Sequence, residues 1–179
     1  MPTVRPLVDD DRDAVASLIT AHFADGRSYE VPVDDESAGT AVRVAERGGT
    51  PVGVMALSTY ASRAKLRDAM HLFETVDPVP EVATYGLVHA GYVHPDHTGS
   101  GIGSRLLNAI HRIGESNGVG LFVADAWFHG GPDSPARLLE KRGYETVLTR
   151  SIADRDGPCP KCGDRCVCEA ALVVCAVGP

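Results

Sequence analysis

The stretch HPDHTGSGIGSRLL, residues 94–107, constrains this chain more than any other. It follows TYGLVHAGYV, residues 84–93, an apolar run with the character of a buried central strand. After it, Ile102, Leu106, Ala109, Ile110 and Ile113 recur at helical spacing. Glycine starts helices poorly on propensity, yet Gly99, Gly101 and Gly103 alternate just where this helix begins. A strand, a bare turn and a helix N-terminus in succession make an anion site. The first helical N–H groups lack internal partners, and the dipole adds partial positive charge. Glycines let the backbone approach a bulky phosphate and take positive φ. The segment asks for a phosphate-bearing ligand such as a pyrophosphate.

Three readings of these glycines compete. A nucleotide P-loop needs lysine and then Ser or Thr after its last glycine, whereas Gly103 is followed by Ser104 and Arg105. A dinucleotide fingerprint is a better rival, since Gly99, Gly101 and the acid at Asp125 mimic it. Its third glycine falls one residue early, however, and too few residues follow to complete such a sheet. A glycine-rich turn with no ligand is the plain alternative for a motif standing alone.

The rest of the chain supplies the context. At 179 residues, with 44% apolar and 23% charged side chains, it fits one soluble domain spanning 1–179 with a real core. Residues 3–6 start a strand, and Asp9–Asp11 precede a helix with Val15, Leu18 and Ile19 on one face. TAVRVAERGGTPVGVMALSTY reads as a β-hairpin turning at Gly48-Gly49. Residues 61–82 form an insertion: a helix carrying Leu66, Ala69, Met70 and Phe73, then a proline-broken linker at 79–81. GLFVADAW is another buried strand, HGGPDS a loop, and SPARLLEKR a short helix stopped by Gly143. Two strands, 144–152 and 167–177, close the order β-α-ββ-insert-β-α-β-α-ββ, a mixed-sheet α/β domain.

Charge and cysteine usage narrow the partners. The formal charge of −7 argues against a nucleic-acid binder, whose affinity comes from clustered Lys and Arg. No run is long enough to cross a bilayer, and the N-terminus shows no apolar signal region, so the expected location is the cytoplasm. Cys159, Cys162, Cys166 and Cys168 lie at spacing C-x2-C-x3-C-x-C between the last two strands, a zinc-binding loop over 159–168. Four thiolates this close can meet one tetrahedral Zn²⁺ as a closed structural site. Gly163 permits a tight turn there, and Lys161 and Arg165 offset the residual negative charge. An iron–sulfur centre, a redox pair and four free thiols are the alternatives. Cys175 stands in an apolar strand without a basic partner and is no nucleophile.

The segment GYVHPDHTGSGIGSRLLNAI resembles the acyl-coenzyme-A signature of the GNAT superfamily of N-acetyltransferases, with Val93, Pro95, Gly99, Gly101, Ile102 and Gly103 in matching places. SPARLLEKRGYE is similar to the family's second signature through Ala136, Leu138, Glu140, Gly143 and Tyr144. AERGGTPVGVMAL resembles the family's second and third strands, so the likeness covers residues 3–152. It implies a GNAT-like fold, with central strands splayed around acetyl-CoA and helices on both faces. It also implies an N-acetyltransferase acting on a primary amine of a small molecule or protein by direct attack in a ternary complex. The implied cofactor site is Val93, Thr98, Gly99, Ser100, Gly101, Ile102, Gly103 and Ser104, with backbone near Val93 holding the pantetheine arm and polarising the thioester carbonyl. The four-cysteine loop lies outside the family pattern.

Departures from the pattern shape the catalytic expectations. Thr98 replaces the usual Arg or Gln, Leu139 the tyrosine often used as general acid, and Leu87 the glutamate. His89 lies two residues beyond Leu87 and so on the same strand face, with an ordinary pKa near 6.5 that suits a base. A packed or surface histidine is the plain alternative. Tyr92 is the candidate acid if its side turns to the cleft, and His94 has a weaker claim. The missing tyrosine and glutamate keep open a second function, a non-catalytic acyl-CoA sensor or scaffold of the same fold. Residues 24–40 and 61–82 frame the acceptor pocket, and family likeness leaves a homodimer through the late strands open.

Overall fold

The computed structural model describes residues 1–23, 31–70, 72–73, 75–128, 135–152, 159, 162 and 166–178. Within these, seven strands of a mixed sheet and four α-helices follow the expected order. They are β1 (Thr3–Pro6), α1 (Arg12–Thr20), β2 (Thr40–Arg47), β3 (Thr50–Tyr60), α2 (Arg63–Ala69), β4 (Tyr85–Val93), α3 (Ile102–Ser116), β5 (Leu121–Phe128), α4 (Pro135–Glu140), β6 (Glu145–Ser151) and β7 (Glu169–Ala176). None of the described helices is long and apolar enough to cross a membrane. The chain groups into two compact units, one of Met1–Ser58 with Val88–Asn117 and the other of Thr59–Leu87 with Gly118–Pro179.

The first unit is built on the antiparallel strands β1, β2 and β3, with Thr3 opposite Glu46 and Thr40 opposite Ser58. The β2–β3 turn needs two consecutive left-handed residues, which Gly48 and Gly49 supply at φ 61° and 84°. Alternation sends Val42 and Val44 to one face, where they pack with Val54 and Ala56 against Val15, Leu18 and Ile19 of α1. The start of α1 is tied down by Asp11, whose carboxylate takes two hydrogen bonds from the Arg5 guanidinium at 2.6 and 2.8 Å and one from the Val8 amide at 3.0 Å. Arg5 also donates to Glu46 at 2.7 Å, linking β1 to β2 through their side chains.

In the second unit, β5 runs parallel to the first residues of β4, with Tyr85 opposite Leu121 and Leu87 opposite Val123. It is antiparallel to β7 along its whole length, and β7 pairs on its other side with β6. The continuous apolar character of β5 follows, because it carries neighbours on both sides. The core gathers Leu66, Met70, Phe73, Val76, Val79, Tyr85, Leu87 and Leu172.

The insertion departs from expectation in two ways. The helix ends at Ala69, where Ser62 caps its start through the Lys65 amide and Met70 turns extended at φ −87° and ψ 132°. Met70, Leu72, Phe73 and Val76 are all buried, and an apolar series this dense reaches the core better from an irregular chain than from one helical face. The PVP segment is no bare linker either. Val79 is fully buried, and the Tyr85 hydroxyl donates to the Pro80 carbonyl and accepts from the Val82 amide.

The second family-like signature has a backbone explanation. Gly143 sits at φ 86° after α4, its amide donating to Glu140 and the Tyr144 amide reaching back to Leu139, the pattern of a glycine-closed helix end. Tyr144 is thereby set into the core, where burial pushes its phenol above the ordinary value.

Candidate functional site

The glycine segment forms a tight polar turn between β4 and α3. Pro95–His97 makes one turn of 3-10 helix capped by the His94 ring, Nδ1 accepting from the Asp96 amide at 3.2 Å. The Thr98 hydroxyl donates back to the Pro95 carbonyl at 2.9 Å, and Ser100 donates to the carbonyl of His97. Thr98 therefore braces the loop with its side chain. Gly99 and Gly101 lie at φ 73° and 80°, and an added Cβ would meet nothing within 4 Å at either. Conformation, not space, requires glycine at both positions.

The helix ladder of α3 opens with the Arg105 amide on the Gly101 carbonyl at 3.1 Å. Helix geometry leaves the amides of Ile102, Gly103 and Ser104 without an internal acceptor, and Gly101 offers no side-chain cap. Ile102 and Leu106 are buried while Gly99, Ser100 and Gly101 are exposed, so the turn is anchored below and open above. This arrangement can hold a diphosphate on main-chain donors.

β4 carries the other predicted side chains, and its backbone is irregular. Ala90 has φ 51°, a left-handed conformation that non-glycine residues seldom adopt inside a strand. A left-handed residue there kinks the strand and re-aims its neighbours, as bulges beside functional sites do. His89, just before the kink, is half-buried, and its Nε2 lies 3.0 Å from the Ser58 hydroxyl. Ser58 in turn lies 3.1 Å from the Thr40 hydroxyl. Tyr92 packs beside the first unit's core, with ring centroids 5.2 Å from His22 and 5.9 Å from Phe23. Val93 is half-buried, and its carbonyl accepts from His22 Nε2 at 3.0 Å. Leu87 and Leu139 are buried in the second unit, where neither can move a proton.

His22, Ser58 and Thr40 were not legible as site residues in the sequence. Ser58 lies in a hydrophobic strand, and nothing local marks a serine there as the neighbour of a histidine on another strand. His22 follows the helical face of α1, a position that reads as packing.

The four cysteines converge. Their sulfurs all lie within 4.8 Å of one another, with Cys162 to Cys168 at 3.2 Å and Cys159 to Cys168 at 3.7 Å. Sulfurs around a tetrahedral Zn²⁺ at about 2.3 Å stand about 3.8 Å apart, so this separation suits one ion. The cluster packs on the second unit's core, and the Ile152 amide at the end of β6 donates to the Cys168 carbonyl just before β7. It therefore closes the open end of the β6–β7 pair. Burial pushes the Cys168 thiol above the ordinary value, while the neighbouring Trp127 indole works in the opposite direction. Four clustered sulfurs, that of Cys168 on a buried residue and the others on half-buried ones, form a donor set that fits a soft divalent cation. Lys161, Gly163 and Arg165, expected to support this loop, lie outside the described residues, as do the HGGPDS loop and residues 24–30 of the expected acceptor frame.

The family model of the GNAT acetyltransferase domain matches residues 38–146, from the approach to β2 into β6. No curated protein matches the chain in sequence. Among solved structures, the ribosomal-protein-alanine N-acetyltransferase of Brucella melitensis is similar at 17% identity and a TM-score of 0.65, over 98% of this chain and 99% of that one. The polyamine N-acetyltransferase of Drosophila melanogaster, which forms N-acetylagmatine, reaches 18% identity and a TM-score of 0.67, over 99% and 100%. The yncA protein of Salmonella typhimurium, solved with its cofactor acetyl-CoA, gives 16% and 0.66, over 100% and 95%.

Proposed function

The chain belongs to the GNAT acetyltransferase family and is an acetyl-CoA-dependent N-acetyltransferase; from that premise we propose that it acetylates a primary amine of a small molecule or protein by direct attack in a ternary complex. The observation that carries the cofactor assignment is the open turn at Gly99–Gly101, with the unpartnered first amides of α3 behind it. Ser100, Gly101, Ile102, Gly103 and Ser104 hold the diphosphate through main-chain N–H groups, and Thr98 braces the turn. Backbone around Val93 receives the pantetheine arm and polarises the thioester carbonyl. Fixed donors aimed at a developing oxyanion are usually the largest catalytic contribution.

His89 is the general base in this reading. An amine with pKa of about 10 is protonated at neutral pH and must lose a proton before or during attack. Tyr92 is the candidate donor to the departing coenzyme A sulfur. Thiols have pKa values of about 8.5, so the sulfur can also leave as thiolate, and the burial of Leu139 in the family's acid position is tolerated. The chain's net charge of −7 favours the approach of a cationic amine. We read 1–179 as one functional domain, since the matched segment draws on both compact units.

The four cysteines hold a structural Zn²⁺ in the same proposal. A closed shell of four thiolates leaves no open coordination position, so the ion would supply cross-linking and no chemistry at the thioester. A reducing cytoplasm keeps such thiols available for metal.

Calorimetry with coenzyme A tests the cofactor site, and release of free coenzyme A from acetyl-CoA with an amine panel tests turnover. Binding in the micromolar range and amine-dependent release are expected, with release largely abolished in His89→Ala. Binding without release for any amine would point to the sensor reading, and no binding would remove the site assignment.

A further inference from the structure

The peptide that joins Val93 to His94 leads out of β4 toward the glycine turn, and it is held at both ends. Its N–H, on His94, donates to the Val52 carbonyl of β3 at 2.9 Å. Its C=O, on Val93, accepts from His22 Nε2 at 3.0 Å. The two groups of a trans peptide point in opposite directions. So β3 grips one side of the chain, and the residue just past α1 grips the other. All four residues belong to the first unit.

His22 stands on a firm base for such a grip. The chain stays hydrogen-bonded as it leaves α1, with the Ala21 amide on the Ser17 carbonyl, that of His22 on Ile19 and that of Phe23 on Thr20. Ile19 is buried in the core below, and the His22 ring lies 5.2 Å from that of Tyr92. A carbonyl oxygen only accepts, so the hydrogen in the Val93 contact is carried by Nε2, whatever else the ring touches.

The turn beyond this peptide is closed by its own bonds. The His97 amide donates to His94, the Thr98 amide and hydroxyl to Pro95, and the Ser100 hydroxyl to His97. These bonds give the turn its shape. Its aim comes from its two ends, the buried Ile102 at the start of α3 and the gripped peptide at the end of β4.

We propose that His22 is a positioning residue for the acyl carrier: by holding the Val93 carbonyl it fixes the plane of the Val93–His94 peptide, and with it the direction of the backbone that takes the pantetheine arm and opens into the glycine turn. The proposal rests on the reading of that backbone as the coenzyme A site. One lone pair of the Val93 oxygen serves His22, and the other is left for a donor on the arm. Without the His22 donor the plane is gripped from β3 alone and can rotate about the chain. A histidine that only packed on Tyr92 would leave the plane as it is, so the two roles respond in opposite order to substitution.

His22→Phe keeps a ring beside Tyr92 and has no donor, whereas His22→Gln gives up the ring and keeps a side-chain N–H. Calorimetry with coenzyme A is expected to give a Kd about tenfold higher than the parent for His22→Phe and within about twofold of it for His22→Gln. Hydrogen exchange in the unliganded protein should be faster at the His94 amide in His22→Phe and near the parent rate in His22→Gln. The reverse order, with His22→Phe equal to the parent and His22→Gln impaired, would reduce His22 to packing and overturn the proposal. Equal Kd values for all three proteins would overturn it too, and would leave the coenzyme A site standing. Should His22→Phe fail to fold, His22→Gln decides alone, because a loss of about tenfold in affinity with the donor retained contradicts the proposal. A parent that binds no coenzyme A would sink the cofactor site itself, and this proposal with it.

Discussion

Gly53 on β3 and Ile102 at the first position of α3 are in direct contact, and a methyl on Gly53 would stand 2.9 Å from Ile102 Cγ2. The same methyl would meet Leu106 Cδ1 at 3.1 Å and the Tyr92 carbonyl oxygen at 3.3 Å. The start of the helix behind the glycine turn is therefore seated against bare backbone. Gly53→Ala has to push that first turn away, at a cost of about 1–3 kcal/mol typical of overpacking. Its Kd for coenzyme A, by calorimetry, is expected to rise several-fold. Gly48→Ala is the control: it introduces strain of about 1–2 kcal/mol at φ 61° but meets no neighbour, so coenzyme A affinity should hold.

Removing the proposed base separates chemistry from binding. His89→Gln keeps a polar side chain of similar size but cannot accept the amine proton. Loss of general-base catalysis is expected to lower kcat by about 10²–10⁴, with Kd for coenzyme A unchanged because the proposed phosphate site is made of backbone. Tyr92→Phe should cost less, since a thiolate leaves without help near neutral pH. Steady-state kinetics on both variants check the order.

The sequence made the glycine turn legible because its requirement is local. Positive φ at Gly99 and Gly101, and apolar spacing from Ile102 onward, are properties of adjacent residues. The cysteine cluster was legible for the same reason, with all four cysteines within ten residues. What escaped depends on distance along the chain. Ser58 and His89 are 31 positions apart, and His22 and Val93 are 71 apart, so no window could pair them. The early end of α2 escaped because tertiary burial of Met70 and Phe73 outweighed their helical spacing.

Acid should act through Asp11. The Arg5 guanidinium, with help from the Val8 amide, holds this carboxyl below its ordinary value. A depressed folded pKa means that the unfolded chain binds the proton more readily, so this stabilisation is complete above the unfolded value of about 3.9. It is lost as pH falls through the lower, folded value. Thermal melts should fall on acidification below about pH 4, and Asp11→Asn should show a shallower acid loss. At neutral pH Asp11→Ala, which leaves Arg5 with Glu46 alone, is expected to cost about 2–3 kcal/mol.

Metal removal can be read from the one tryptophan in the chain, Trp127, which packs against the core cluster that holds Cys168. Elemental analysis of protein purified without added chelator should find about one zinc per chain. A strong chelator should shift the Trp127 emission, lower the melting temperature by several degrees, and release the end of β6 held at Ile152 to Cys168. Trp127→Phe should retain the ion, since all four sulfurs remain in place. Cys168→Ser should lose it altogether, because that sulfur is the one shared by both short contacts. Acetyl transfer assayed on freshly demetallated protein below its melting temperature should continue, since a closed four-sulfur shell has no place for substrate. Loss of activity in step with loss of zinc, without unfolding, would contradict a purely structural ion.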